Sequence, residues 1–376
     1  MVANARTLVL VALAWTVAML GVSCGGGGDS EETQPFFKQH IALDPSAPER
    51  GPNGEPATPI AEVAELTPAE VDKVRKGGYT AALLWAGAGE WYDALGAGAS
   101  DRFDKLGIKV VAKADAQFDP AKQANDVESA MALKPDIILT LVVDPPTGAA
   151  AFRPAVKSNT VLVFADNGAK GYRAGREYVA IVTGDHYGMG QAAAELMNDA
   201  IDGEGQIGMI YHDADFFVTN NRDNSFRATI ERKYPNITIV DAKGFTQEKA
   251  TFDIANAMIS PKIKGIYVAW DVAAEGVVEA LRAAGRTDVK VVSHDLGATN
   301  DVAMARGEIY YGVAVDLPYQ IGSTMAELAA YKLLGKEAPP FVTGSLMKVT
   351  KSNLAEAWQK SLNKKPPAAV TKELGG

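Results

Sequence analysis

From residue 79 onward, short apolar runs alternate with amphipathic stretches. Runs at 80–85, 108–112, 137–142 and 161–164 each have the length of one strand, and stretches with helical periodicity separate them. Asp119-Pro120 opens one of these helices, with Asp as N-cap and Pro at the first helical position, and the pattern runs to about Leu133. After Gly184 the alternation restarts, with runs at 207–211, 237–240, 265–269, 289–293 and 310–315. These runs are mostly apolar, as strands are when helices cover both faces of a parallel sheet. Lys134-Pro135-Asp136 leads into a strand closed by Asp144, and Ser260-Pro261-Lys262 into one closed by Asp271. That echo predicts an α/β protein with two similar halves.

The chain start has a different pattern. Residues 8–22 are almost wholly apolar, Arg6 is the only early charge, and Cys24 is followed by Gly25-Gly26-Gly27-Gly28. This is the layout of an export signal, and its apolar run is too short to span a membrane comfortably. A lone cysteine at that boundary resembles a lipoprotein processing site, with Gly21 where a larger aliphatic residue is usual. Residues 1–23 are read as signal peptide and 24–65, rich in Gly, Pro, Ser and acids, as a lipid-anchored flexible tether. Thr67-Pro68-Ala69-Glu70 then carries the residues of a capping box. The expected location is the periplasm or the outer face of the cytoplasmic membrane. Attachment would be through lipid only, because no later apolar run is long enough to cross a bilayer.

The 376 residues suffice for two domains with full cores. A net charge of −9 argues against a nucleic-acid partner, which calls for clustered Lys and Arg. One cysteine allows no intrachain disulfide.

Ligands of open parallel sheets bind beyond the carboxyl ends of the strands. There the chain places Gly89-Glu90-Trp91-Tyr92, Asp144, Asp166-Asn167, His212-Asp213, Gly244-Phe245, Trp270-Asp271, His294-Asp295 and Asp316. Carboxylates accept hydroxyl hydrogen bonds, and aromatic rings cover apolar C–H faces, so the combination suits a sugar or polyol. A strand-end Asp can equally cap the next helix. His212 and His294 are expected to be neutral and hydrogen-bonded.

These landmarks resemble the ribose/galactose-type periplasmic binding proteins, the solute receptors of ABC importers, from about residue 79 to 334. The resemblance rests on Trp91-Tyr92 after the first strand, Phe164-Ala165-Asp166-Asn167, Val182-Thr183-Gly184-Asp185 at a first interlobe crossing, Ser293-His294-Asp295 beside a second, and Asp316-Leu317-Pro318-Tyr319 at a third. It implies two Rossmann-like lobes joined by a three-strand hinge. The N-terminal lobe would comprise 66–183 plus 296–317, and the C-terminal lobe 184–295 plus 318–376. Carried over by position, the ligand contacts would be Trp91, Tyr92, Asp166, Asn220, Phe245, Trp270, Asp295 and Asp316, with Asp271 beside them. Asn220 stands where many members have Arg, and Arg222, two residues on, would either supply that donor or be structural as its family counterpart often is. Asp316 stands where many have Gln, which makes the cleft more acidic than a ribose site.

The implied role is capture of a monosaccharide or polyol for an ABC permease by a monomer. No catalysis, cofactor or metal is implied. A receptor reporting to a chemotaxis or sensor-kinase partner, and a cationic ligand, are the alternatives. Gly87-Ala88-Gly89 begins like a dinucleotide fingerprint, but Tyr92 stands where the third glycine belongs. No Gly-x-Ser-x-Gly elbow supports hydrolysis. An export signal stands where a repressor of this architecture would carry its helix-turn-helix.

Overall fold

The computed structural model describes residues 48–214 and 216–375. The export signal, Cys24 and the first part of the tether lie outside the described residues. The first half holds strands β1 (Thr58–Pro59), β2 (Thr80–Trp85), β3 (Lys109–Asp115), β4 (Ile137–Leu141), β5 (Val161–Ala165) and β6 (Ile181–Thr183). Its helices are α1 (Pro68–Gly77), α2 (Glu90–Leu106), α3 (Pro120–Ala132), α4 (Pro145–Ala151) and α5 (Arg153–Lys157). The second half holds β7 (Gly205–His212), β8 (Ile237–Phe245), β9 (Ile263–Val268), β10 (Lys290–His294) and β11 (Tyr310–Val315). Its helices are α6 (His186–Ala200), α7 (Phe217–Lys233), α8 (Thr251–Met258), α9 (Asp271–Ala283) and α10 (Ala298–Arg306). The chain ends with α11 (Pro318–Leu334), β12 (Phe341–Thr343), β13 (Met347–Thr350), α12 (Leu354–Leu362) and α13 (Ala368–Leu374).

Local signals behave as their chemistry requires. The Glu70 carboxylate accepts from the Thr67 N–H at 2.8 Å, which closes the capping box of α1. Asp119 caps α3 by accepting from Ala121 N at 2.8 Å.

The strands form two sheets, of order β1-β12-β6-β5-β4-β2-β3 and β13-β11-β10-β9-β7-β8. Each pairing between these strands is parallel except β11 with β13. Strand side chains alternate between faces, and in the central strands both faces are buried, whereas the edge strands β3 and β8 are partly exposed. In the first lobe Leu83, Leu139 and Val163 pack toward Phe103 of α2 and Met325 of α11. Leu84, Ile138 and Phe164 pack on the other face with Val127 of α3 and Phe152. The second lobe repeats this, with Ile266, Val268 and Val291 on one face and Met209, Tyr267 and Val292 on the other.

The chain passes between the sheets three times: after β6, after β11 and between β12 and β13. The first crossing falls where the sequence suggests. The other two correct the expected segment boundaries. After Asp295 the chain stays in the second lobe, because β11 pairs with β10 on one edge and β13 on the other. Segment 296–317 therefore belongs to the second lobe. Helix α11 and strand β12, read as C-terminal lobe, belong to the first. Helix α11 lies against α2 at the closest possible range: a Cβ on Gly98 would sit 1.9 Å from Tyr319 O, and one on Gly322 1.9 Å from Leu95 O.

The end of the expected tether is also part of the fold. Strand β1 pairs with β12, Ile60 lies in the first lobe's core, and Leu66 N donates to Glu327 at 2.6 Å. Glu49 is only 4% exposed; its carboxylate accepts from His186 N at 2.9 Å and from Asn221 Nδ2 at 2.8 Å. A segment rich in Gly and Pro can be ordered when its few polar groups find buried partners.

Candidate ligand-binding site

Two aspartates mark corresponding places in the two lobes. Asp166 directly follows β5, and Asp295 directly follows β10. Both adopt the left-handed region, with φ of 56° and 65°. Both donate their backbone N–H to the neighbouring strand, Asp166 to Val182 O at 3.1 Å and Asp295 to Ala314 O at 3.2 Å. Asp tolerates this backbone better than most residues, and such strain gathers at functional sites.

Between these two carboxylates lies a cavity of about 100 Å³. At ~30 Å³ per water in the liquid this is room for roughly three waters. Trp91 and Tyr92, on the first turn of α2, face it from the first lobe, with Phe118 at the edge. Tyr92 meets Trp91 edge-on at 5.0 Å and Phe118 at 6.2 Å between ring centroids. Arg222, Trp270, Asp271 and Asp295 face it from the second lobe, and Asp316 from the hinge. Gly184 lets the first two crossings touch, since a Cβ there would lie 2.8 Å from the Asp316 side chain.

Polar partners hold these side chains in place. Trp91 Nε1 donates to Asp316 at 2.8 Å, and Trp270 Nε1 to Glu248 at 2.6 Å. Thr183 donates to Asp166 at 2.7 Å, and its hydroxyl lies 2.6 Å from His186 Nε2. Arg222 Nη1 donates to Asp295 at 3.1 Å. Arg222 Nε and Asp295 Oδ1 are buried and have no protein partner. Buried polar atoms are seldom left unpaired, so an open donor and an open acceptor beside one cavity point to a ligand.

Burial pushes Asp316 up to about 7, with Asp295 and Asp166 adding repulsion. Burial also raises Asp295, against the pull of Arg222, and holds Asp271 well above the usual carboxylate range. Burial alone would lower His186, but the Asp166 and Glu49 carboxylates outweigh it and raise the imidazole. His212 is pushed down to about 4 by burial and Arg222, and burial lowers His294 as well, so both histidines are neutral at pH 7.

Of the ten expected ligand contacts, Asn220 and Phe245 do not line the cavity. Val218, Thr219 and Arg222 share the cavity-facing side of α7; at 100° per residue, Asn220 points away from it. Phe245 is 2% exposed and supports Trp270 from behind, 4.8 Å between centroids. Asp144 caps α4 by accepting from Thr147 N at 2.8 Å, the other role open to a strand-end Asp. Phe118, His186 and Phe216 line the cavity without having been singled out as contacts. The strand-end rule could have found Phe118, three residues beyond β3. The same rule reaches Phe216, four residues beyond β7, whereas His186 gives no such signal.

Residues 65–337 match the family model described as periplasmic binding protein domain, and the chain belongs to that family. It is a family of substrate-binding proteins, not of enzymes, and implies work outside the cytoplasm. The chain is 25% identical to the ribose import binding protein of Escherichia coli (strain K12) over 242 residues, 64% of this chain and 79% of that one. A solute-binding protein of an ABC transporter from Mycobacterium smegmatis, solved with glycerol, is 26% identical with a TM-score of 0.65, covering 77% of this chain and 99% of the other. A carbohydrate transporter solute-binding protein from Agrobacterium radiobacter, solved with D-arabinose, has a TM-score of 0.67 at 23% identity, covering 76% and 99%.

Proposed function

We propose that this protein captures a monosaccharide or polyol between its lobes and delivers it to an ABC importer. The observation that carries this reading is the pairing of a buried open donor, Arg222 Nε, with a buried open acceptor, Asp295 Oδ1, beside a small cavity walled by aromatic rings. Trp91, Tyr92, Asp166, Arg222, Trp270, Asp271, Asp295 and Asp316 are the proposed contacts. The relatives support it: one is an import protein for ribose, and others were solved with D-arabinose and glycerol. Contacts divided between lobes favour a closed state when ligand is present, and that state is the one a permease would recognise. A lipid on Cys24 and the segment 24–47 would keep the receptor near its permease.

The test is a thermal-shift screen against neutral sugars, alditols and small amines. A ligand at 100 times its Kd adds about 2.7 kcal/mol of stability. Shifts from a polyhydroxylated compound, with compaction in small-angle scattering, are expected. No shift from any polyhydroxylated compound would remove the sugar assignment. A Cys24→Ser protein is expected to leave the membrane fraction; if it stays, the tether reading fails.

A further inference from the structure

The cleft holds more carboxyl groups than a neutral polyol calls for. Asp166, Asp271, Asp295 and Asp316 all face it, and Arg222 is the only Arg or Lys among the residues lining it. Arg222 is already engaged by Asp295 at 3.1 Å. His186 lies between Asp166 and Glu49, and His212 is neutral. Burial, with repulsion from Asp295 and Asp166, raises Asp316, and burial with repulsion from Asp295 raises Asp271, so the fold opposes their ionising together. Acids grouped this way resist ionising together. A neutral sugar leaves that repulsion in place, whereas a cation relieves it. Among the described residues no group of three or more His, Cys, Asp or Glu is arranged to hold a metal ion, which favours an organic cation. Tyr92 and Trp270 line the cavity beside the acids, and aromatic rings attract such a cation. The second pointer to a ligand is Asp295 Oδ1, a buried acceptor without a protein partner on a residue that lines the cavity.

Building on the sugar-receptor reading, we infer that the ligand is a polyol carrying a protonated amine, an amino sugar or amino alditol, with its ammonium among Asp166, Asp295 and Asp316. The hydroxyls are left to Arg222 and Asp271. The charged groups around Asp316 are Asp295, Asp166, His186 and Arg222. An ammonium placed among them holds the acids ionised, so binding releases protons near neutral pH.

The experiment is calorimetric titration of the mature protein with matched pairs: D-glucose and D-glucosamine, D-galactose and D-galactosamine, D-glucitol and 1-amino-1-deoxy-D-glucitol. At pH 7.5 the amine of at least one pair is expected to bind about tenfold tighter than its neutral partner, as charge-assisted hydrogen bonds exceed neutral ones. The observed heat should vary with the ionisation enthalpy of the buffer. The advantage should shrink at pH 5.5, where Asp316, raised to about 7, carries a proton. Asp316→Asn should narrow the ratio, and Asp166→Asn is the second variant should the first fail to fold. If sugars bind but no amine binds more tightly than its neutral partner, the inference is overturned and the receptor reading stands. Silence from every sugar and amino sugar sinks both.

Discussion

Asp295→Ala is expected to destabilise the protein as well as its complex. Arg222 and Asp295 meet at 3.1 Å, with side chains 6% and 11% exposed, so solvent screens them little. At an effective dielectric constant of about 20 the attraction at this distance is roughly 5 kcal/mol, and burial of both charges offsets part of it. Removing the aspartate leaves a buried guanidinium without its ion-pair partner, a change that costs about 3–5 kcal/mol. For lobes of this size, 1 kcal/mol moves Tm by roughly 2–4 °C, so the ligand-free variant should melt roughly 6–20 °C lower. Scanning calorimetry of the wild type, Asp295→Ala, Arg222→Met and the double variant measures this. Each single change should cost more than the double, because the double leaves no unpaired charge inside. Single variants within 2 °C of wild type, or costs that simply add, would refute the pairing argument.

Stability should also depend on pH in an unusual direction. Burial raises Asp316 and Asp223 to about 7 and Asp301 to about 8 in the folded state, against an unfolded carboxyl near 3.9. Between about pH 4 and pH 8 the unfolded chain releases these protons while the folded protein keeps them, so ligand-free Tm should fall as pH rises through that window. A Tm that rises there would contradict it. Glu49→Ala leaves the His186 amide and the Asn221 side chain without their acceptor, and urea unfolding should show a loss of about 2–3 kcal/mol. An unchanged midpoint would mean that the 48–60 segment does not dock. Gly322→Ala puts a methyl against the Leu95 carbonyl and should cost about 1–3 kcal/mol in the same assay; full stability would show that α2 and α11 can separate freely.

Most strand runs were legible because a strand buried on both faces is largely apolar, and the edge strands β3 and β8 still carry enough apolar residues to show. The nine runs read from the pattern overlap strands β2 to β5 and β7 to β11. Strands β1, β6, β12 and β13 were not read as strands, because two to four residues carry too little pattern. Asp166, Asp295 and Asp316 were legible as strand-end acids. Asp144 has the same signature and caps a helix instead, a distinction made by which way the next helix begins. Asn220 was misplaced because position along α7 says nothing about which side of that helix the second lobe covers.

The sequence alone determined two α/β halves with strand-end acids and aromatics, since these follow from local periodicity and residue chemistry. Only the tertiary structure decided which lobe owns β11 and α11. An apolar strand fits either sheet, and pairing between β10 and β13 chose one. It also decided that Glu49 is buried against α6 and α7, and that one arginine faces four aspartates. Charge balance in a cleft depends on groups far apart in the chain, and only folding brings them within Coulombic reach of one another.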